Sequence, residues 1–167
     1  MDFKTQIRID RPASVAWKVV GESSAHIDEW ASAVDSSSMA NGPALAATRT
    51  YKTAGVGPFK LGQVREVVTK FNPDARMLEF WAIEGLPGFF RQAVHGWAVH
   101  EVDAGHSIVE MHASVKIGGL MRLLGPLFRR MFKSSSARSL KELKYFVEHD
   151  TPHPRKRLAL AVAGLPA

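Results

Sequence analysis

The chain has 167 residues, 46 % hydrophobic and 23 % charged, with no cysteine and a formal net charge of +6. That length suits one domain around one core, and the missing thiols exclude disulfides, thiolate metal sites and a cysteine nucleophile. No run of about 18 apolar residues is present, so a membrane-spanning helix is excluded.

Residues 3–10, FKTQIRID, alternate strictly and predict a half-buried strand. This start has no apolar signal core, so a cytoplasmic location is the expectation. Pro12 suits a first helical turn, where its missing N–H costs nothing, and Val15, Trp17, Val19 and Val20 follow as apolar contacts. SSAHIDEWASAV reads as a second short helix capped by Ser23 or Ser24, with Trp30 at its end. SSSMANGPA, rich in turn residues, reads as a loop. Strands are then expected over 45–54, 60–71, 77–85, 91–102 and 107–117, joined by turns such as NPDAR and DAGH. Short turns between successive strands imply an antiparallel meander.

A long helix spans 125–149, with Pro126 as its first residue and Gly125 as the hinge. At about 100° per residue, Leu127, Phe128, Met131 and Phe132 share one face, and Leu143 and Phe146 return near it. Ser135 and Ser139 occupy the same face in between, while Arg129 and Lys133 face water. Either the sheet and helix part company there and the hydroxyls line a cavity, or the serines bond back to helix carbonyls and close-pack.

Several stretches resemble the START-like helix-grip superfamily, which includes the birch-pollen-allergen proteins. More narrowly they resemble the bacterial polyketide cyclase/dehydrase-type lipid-binding family. The matching pieces are IRIDRPASVAWKVV, HIDEW, the segment from TRTYKTAG to FWAIEG, and SLKELKYFVE. The resemblance implies an α+β fold: a curved antiparallel sheet of about seven strands around the C-terminal helix, with two short helices after the first strand. It also implies an apolar cavity between sheet and helix. The domain is expected over 1–150, followed by a basic and apolar tail over 151–167.

Within that frame, Arg49 and Tyr51 share a strand face. Arg49 and Glu66 match, by motif, family positions that point inward. The pair either orients a ligand carbonyl or carboxylate or serves as a structural ion pair. His95 shares a face with Trp97 and Val99. Arg49, Glu66, Tyr51 and His95 are therefore the catalytic candidates. An acid role for Tyr51 requires a lowered pKa. Trp30, Phe80, Trp97, Met111, Phe128 and Met131 are wall candidates, joining Arg49, Tyr51 and Ser135 as ligand-binding residues.

The expected partner is a hydrophobic small molecule: a lipid, an isoprenoid or a polyketide-like compound. Binding is the leading function, with a cyclase or dehydratase and a membrane-touching lipid carrier as alternatives. The carrier would use Phe89 and Phe90 in GLPGFF together with the tail, where Arg155, Lys156 and Arg157 precede LALAVAGL. The GLPGFF loop can instead fold over a cavity mouth as a gate or dimerise, and AGVGPF (54–59) is a candidate second gate. No metal is expected, because no histidine pair has ligand spacing with a third donor, and no cofactor or nucleic acid is expected. The oligomeric state stays open.

Overall fold

Alternation builds the sheet. In the computed structural model, which describes residues 1–53 and 61–163, seven strands form one antiparallel sheet in the order β1-β7-β6-β5-β4-β3-β2. They are β1 (Asp2–Ile9), β2 (Ser36–Met39), β3 (Thr48–Thr53), β4 (Gly62–Asn72), β5 (Met77–Glu84), β6 (Phe90–Asp103) and β7 (His106–Ile117). β1 turns Phe3 and Ile9 inward and Lys4 and Arg8 outward, as its period of two dictates. β2 corrects the loop expected over SSSMANGPA. Four residues without apolar alternation give no strand signal, yet their backbone pairs with β3, Ser37 opposite Tyr51 and Met39 opposite Arg49.

Between β1 and β2 lie α1 (Ala13–Trp17), a π-helical turn (Lys18–Glu22) and a 3-10 turn (Ser24–Glu29). They bury Ala16, Trp17 and Val20, and Trp17 stacks on Phe71 at 6.2 Å between ring centroids. Phe71 reaches that site through a bulge in β4. Val64, Glu66 and Val68 point inward, the register slips between Val68 and Lys70, and the inward set then moves to Phe71.

The 25-residue helix α2 (Gly125–His149) crosses the inner face of the sheet, after a 3-10 turn over Gly119–Leu124. Its C-terminal half buries Leu140, Leu143 and Val147 against Ile9, Trp30 and Val109 in the core. Each fully buried leucine stabilises this docking by about 1.5–3 kcal/mol. Asp150, at φ 53°, ends the helix in a left-handed cap.

The tail folds as α3 (Pro154–Ala163) and docks by its basic residues. Arg155 Nη1 donates to Glu142 Oε1 at 2.8 Å, and the buried Lys156 donates from Nζ to the carbonyl of Val34 at 2.7 Å. Burial pushes the Lys156 amine below its ordinary pKa, against the opposing pull of Asp28, Asp35 and Glu142. Two of the three tail cations are thus engaged within the fold. No helix among the described residues is long and apolar enough to cross a membrane.

Candidate functional site

The middle of α2 explains the serine gap. Bulky residues hold the helix off the sheet at one end, through Phe128 and Phe132, and at the other, through Leu140 and Leu143. Ser135, Ser136 and Ser139 lie between and border a cavity of about 210 Å³. Its apolar walls come from β1, β6, β7 and the 3-10 region, including Phe3, Trp30, Trp97, Met111 and Val115. The register places Trp97 opposite Met111 and His95 opposite Ala113, so one inward row of each strand forms this wall. Gly96, between His95 and Trp97, faces the other way. A Cβ there would lie 2.6 Å from the Leu78 carbonyl oxygen, so only glycine fits under the His112 ring.

One wall is polar. Arg49 and Glu66 are direct cross-strand partners on β3 and β4, both about 1 % exposed. Arg49 Nη2 donates to Glu66 Oε2 at 2.7 Å, and Nε donates to the same oxygen at 3.3 Å. Nη1 donates to the Ser24 carbonyl at 3.0 Å. The guanidinium carbon sits 3.8 Å from the Phe80 ring centroid, a desolvated cation–π contact worth about 2 kcal/mol. The Arg49 guanidinium is therefore committed within the protein, which favours the structural reading of the ion pair.

Glu66 Oε1 accepts from the Tyr51 hydroxyl at 3.3 Å and lies 3.5 Å from His95 Nδ1. His95 Nε2 lies 3.4 Å from Arg49 Nη2. A neutral His95 with its proton on Nδ1 satisfies both neighbours, donating to Glu66 and accepting from Arg49. Burial, assisted by Arg49, lowers the His95 pKa despite the opposing pull of Glu66, which keeps the ring neutral at pH 7. Burial alone would raise Glu66, but positive charge at His95 and Arg49, with hydrogen bonds from Arg49 and Tyr51, holds its carboxyl below the ordinary value. Since His95 is itself driven toward neutrality, Arg49 is the lasting partner. Burial and the Glu66 charge push Tyr51 well above 10.0, the reverse of what an acid role needs.

Trp30, Arg49, Tyr51, Glu66, His95, Trp97, Met111 and Ser135 all border this cavity. Three other wall candidates sit elsewhere. Phe80 lies beneath the polar wall, stacked with His95 and covered by Arg49. Phe128 lies toward the helix start, packed among Phe89, Phe90 and Phe132. Met131 is half-buried and turned aside, because it precedes the lining residue Phe132 by one step of about 100°.

Phe89 and Phe90, for which a gate, a dimer contact and a membrane contact were the alternatives, pack against Phe128 and Phe132 of α2, and Phe90 and Phe132 border one end of the cavity. The 54–59 segment lies outside the described residues. Phe3 and Ser136 were absent from the wall candidates, although the alternation of β1 and a step of four from Phe132 pointed to both. Among the described residues, no three His, Asp or Glu side chains come together to hold a metal ion.

A seven-stranded antiparallel sheet gripping a long C-terminal helix defines a START-like helix-grip protein. The chain belongs to the family described as polyketide cyclase/dehydrase and lipid transport, whose model matches residues 1–148. No functionally curated protein matches it. Among solved structures, it is similar to the di-domain ARO/CYC BexL from the BE-7585A biosynthetic pathway. The TM-score is 0.74 and the identity 18 %, over 89 % of this chain and 46 % of that one. The chain thus spans about half the length of BexL. It is also similar to the Zhui aromatase/cyclase from Streptomyces sp. R1128, with a TM-score of 0.70 and 11 % identity over 89 % and 93 % of the two chains. A third neighbour is norcoclaurine synthase from Thalictrum flavum in complex with dopamine and hydroxybenzaldehyde. Its TM-score is 0.65 and its identity 13 %, over 89 % and 87 %. At these identities the likeness is one of fold.

Proposed function

We propose that the chain binds a compact apolar molecule, of one or two rings with one polar substituent, in the cavity between sheet and α2. The observation that carries this is a mostly apolar cavity with one charged and hydrogen-bonding wall, made by Arg49, Tyr51, Glu66 and His95, and serine hydroxyls from α2 across from it. Its volume of about 210 Å³ exceeds the roughly 150 Å³ of a cavity known to take benzene and falls short of the roughly 300–1,000 Å³ of drug-sized pockets. That range suits a small ring system better than a long acyl chain. The one-ring molecules named with norcoclaurine synthase support the same size class. The ligand's rings would lie against Trp97 and Met111, and its hydroxyl or carbonyl against Tyr51 and His95 or the α2 serines.

Trp30 and Trp97 border the cavity, so tryptophan fluorescence reports its occupancy. Titration with 2-naphthol is expected to change the emission saturably and more tightly than naphthalene, with palmitate weakest. Equal response to naphthalene and 2-naphthol would remove the polar wall from the account, and tighter palmitate binding would remove the compact ligand.

His95 supports a second reading, an enzyme of the cyclase or dehydratase kind in the same cavity. With Nδ1–H facing Glu66 and Nε2 held only by a 3.4 Å contact with Arg49, a neutral His95 partly open to the cavity can exchange that contact for a proton from the carbon next to a ligand carbonyl. The resulting imidazolium would then be stabilised by the Glu66 carboxylate. On this reading the protein accelerates exchange of the α-protons of 2-tetralone in deuterium oxide, followed by proton NMR, and His95→Gln abolishes the acceleration. Exchange no faster than in buffer would leave binding alone.

A further inference from the structure

Among the described residues, an apolar edge stays open where the chain enters α2. Leu120, Leu123 and Leu127 are 86 %, 80 % and 63 % exposed, and Leu124 is also open. Their spacing of three and four residues, through the 3-10 turn and into α2, lines them along one edge. Leu127 was expected to face inward, but Phe128 and Phe132 take the inner face with Phe89 and Phe90, which turns Leu127 to solvent.

The stretch of chain that carries this edge is basic. Between Glu110 and Glu142 the sequence has no acidic residue, but it carries Lys116, Arg122, Arg129, Arg130, Lys133, Arg138 and Lys141. None of these seven forms an ion pair among the described residues. Arg129, Arg130 and Lys133 border one shallow depression with Gly125 and Pro126, where the first turn of α2 carries no acidic side chain. The positive end of the helix adds to the same field.

We propose that this edge docks on an anionic lipid bilayer. Leu120, Leu123, Leu124 and Leu127 enter the boundary between headgroups and acyl chains, Arg122 and Arg130 beside them pair with acidic headgroups, and Arg129 and Lys133, further round the helix, add to the positive field. Exposed aliphatic side chains rimmed by unneutralised cations are what an interfacial helix presents. A second copy of the chain fits worse, because a two-fold contact sets the same basic patch against itself. A protein partner also fits worse, because the edge offers leucines rather than the aromatic anchors that dominate protein interfaces. Docking here sets the Phe90–Phe132 end of the cavity beside the membrane.

The test is co-sedimentation of the full chain with vesicles of phosphatidylcholine and of phosphatidylcholine mixed with phosphatidylserine. Binding is expected to the mixed vesicles, to weaken with added salt, and to be nearly absent on phosphatidylcholine alone. Arg129→Glu/Arg130→Glu should bind about tenfold or more weakly, and Leu123→Glu/Leu127→Glu should not bind. Both double variants change exposed side chains and should melt like the parent protein, so lost binding reports the surface. No binding of the parent chain to mixed vesicles would overturn the proposal, as would binding unchanged in both variants. A concentration-dependent dimer in light scattering that disappears in Leu123→Glu/Leu127→Glu would assign the edge to a second copy and also overturn it.

Discussion

Glu66→Ala is expected to cost about 3–5 kcal/mol, the loss typical of stripping one partner from a buried ion pair. The change leaves the Arg49 guanidinium 1 % exposed with no carboxylate, and it removes the acceptor of the Tyr51 hydroxyl. Against a total stability of about 5–15 kcal/mol, this is a large fraction. Urea denaturation at pH 7 measures it. The double change Arg49→Leu/Glu66→Leu should recover most of the loss, because no charge is then stranded and an apolar pair can fill the space.

The sign of the pH dependence follows from the lowered pKa of Glu66. Its contribution is full above its ordinary value of 4.5 and is lost as the pH falls through the lower folded value. A Glu66→Ala loss below about 1 kcal/mol would be the size of an exposed pair and would place this one in water.

Ser135→Leu is expected to abolish binding of 2-naphthol without unfolding the protein. Ser135 is half-buried and borders the cavity in the gap between the Phe128–Phe132 cluster and Leu140. A leucine there projects into space that already exists, so it fills volume where a large residue in a packed core would force strain. The melting temperature should hold or rise while the ligand response disappears, as is common when a functional cavity is filled. A fall in stability with binding retained would mean that Ser135 packs against the sheet, the alternative open from its sequence.

What the sequence disclosed depended on the range of the interaction. The alternation in β1 and β7 is local and was readable, as was the stop at Asp150. The serines of α2 were visible as an anomaly, but choosing between a cavity and close packing needed the separation of sheet and helix. Arg49 and Glu66 lie seventeen residues apart, and their contact depends on the β3–β4 register. Their inward direction was suggested by family resemblance, which said nothing of how completely Ser24, His95 and Phe80 would occupy the guanidinium. β2 escaped notice because its backbone pairing leaves no trace in SSSM. Phe128 and Met131 were misplaced because angular spacing fixes a direction around the helix and says little about which strand tip arrives at that height. Lys156 belongs to the basic trio given to the membrane-touching reading of the tail, and its burial depends on the distant carbonyl of Val34 and the nearby acids Asp28, Asp35 and Glu142.

The cavity of about 210 Å³ is proposed to take one compact apolar molecule. Native mass spectrometry of the protein and of Ser135→Leu, each equilibrated with equal concentrations of 2-naphthol and palmitate, tests it most directly. The expected spectrum shows one 2-naphthol on the parent protein, no palmitate, and nothing on Ser135→Leu. An unshifted parent mass at saturating 2-naphthol, or the same adduct on both proteins, would contradict a ligand site between the sheet and α2.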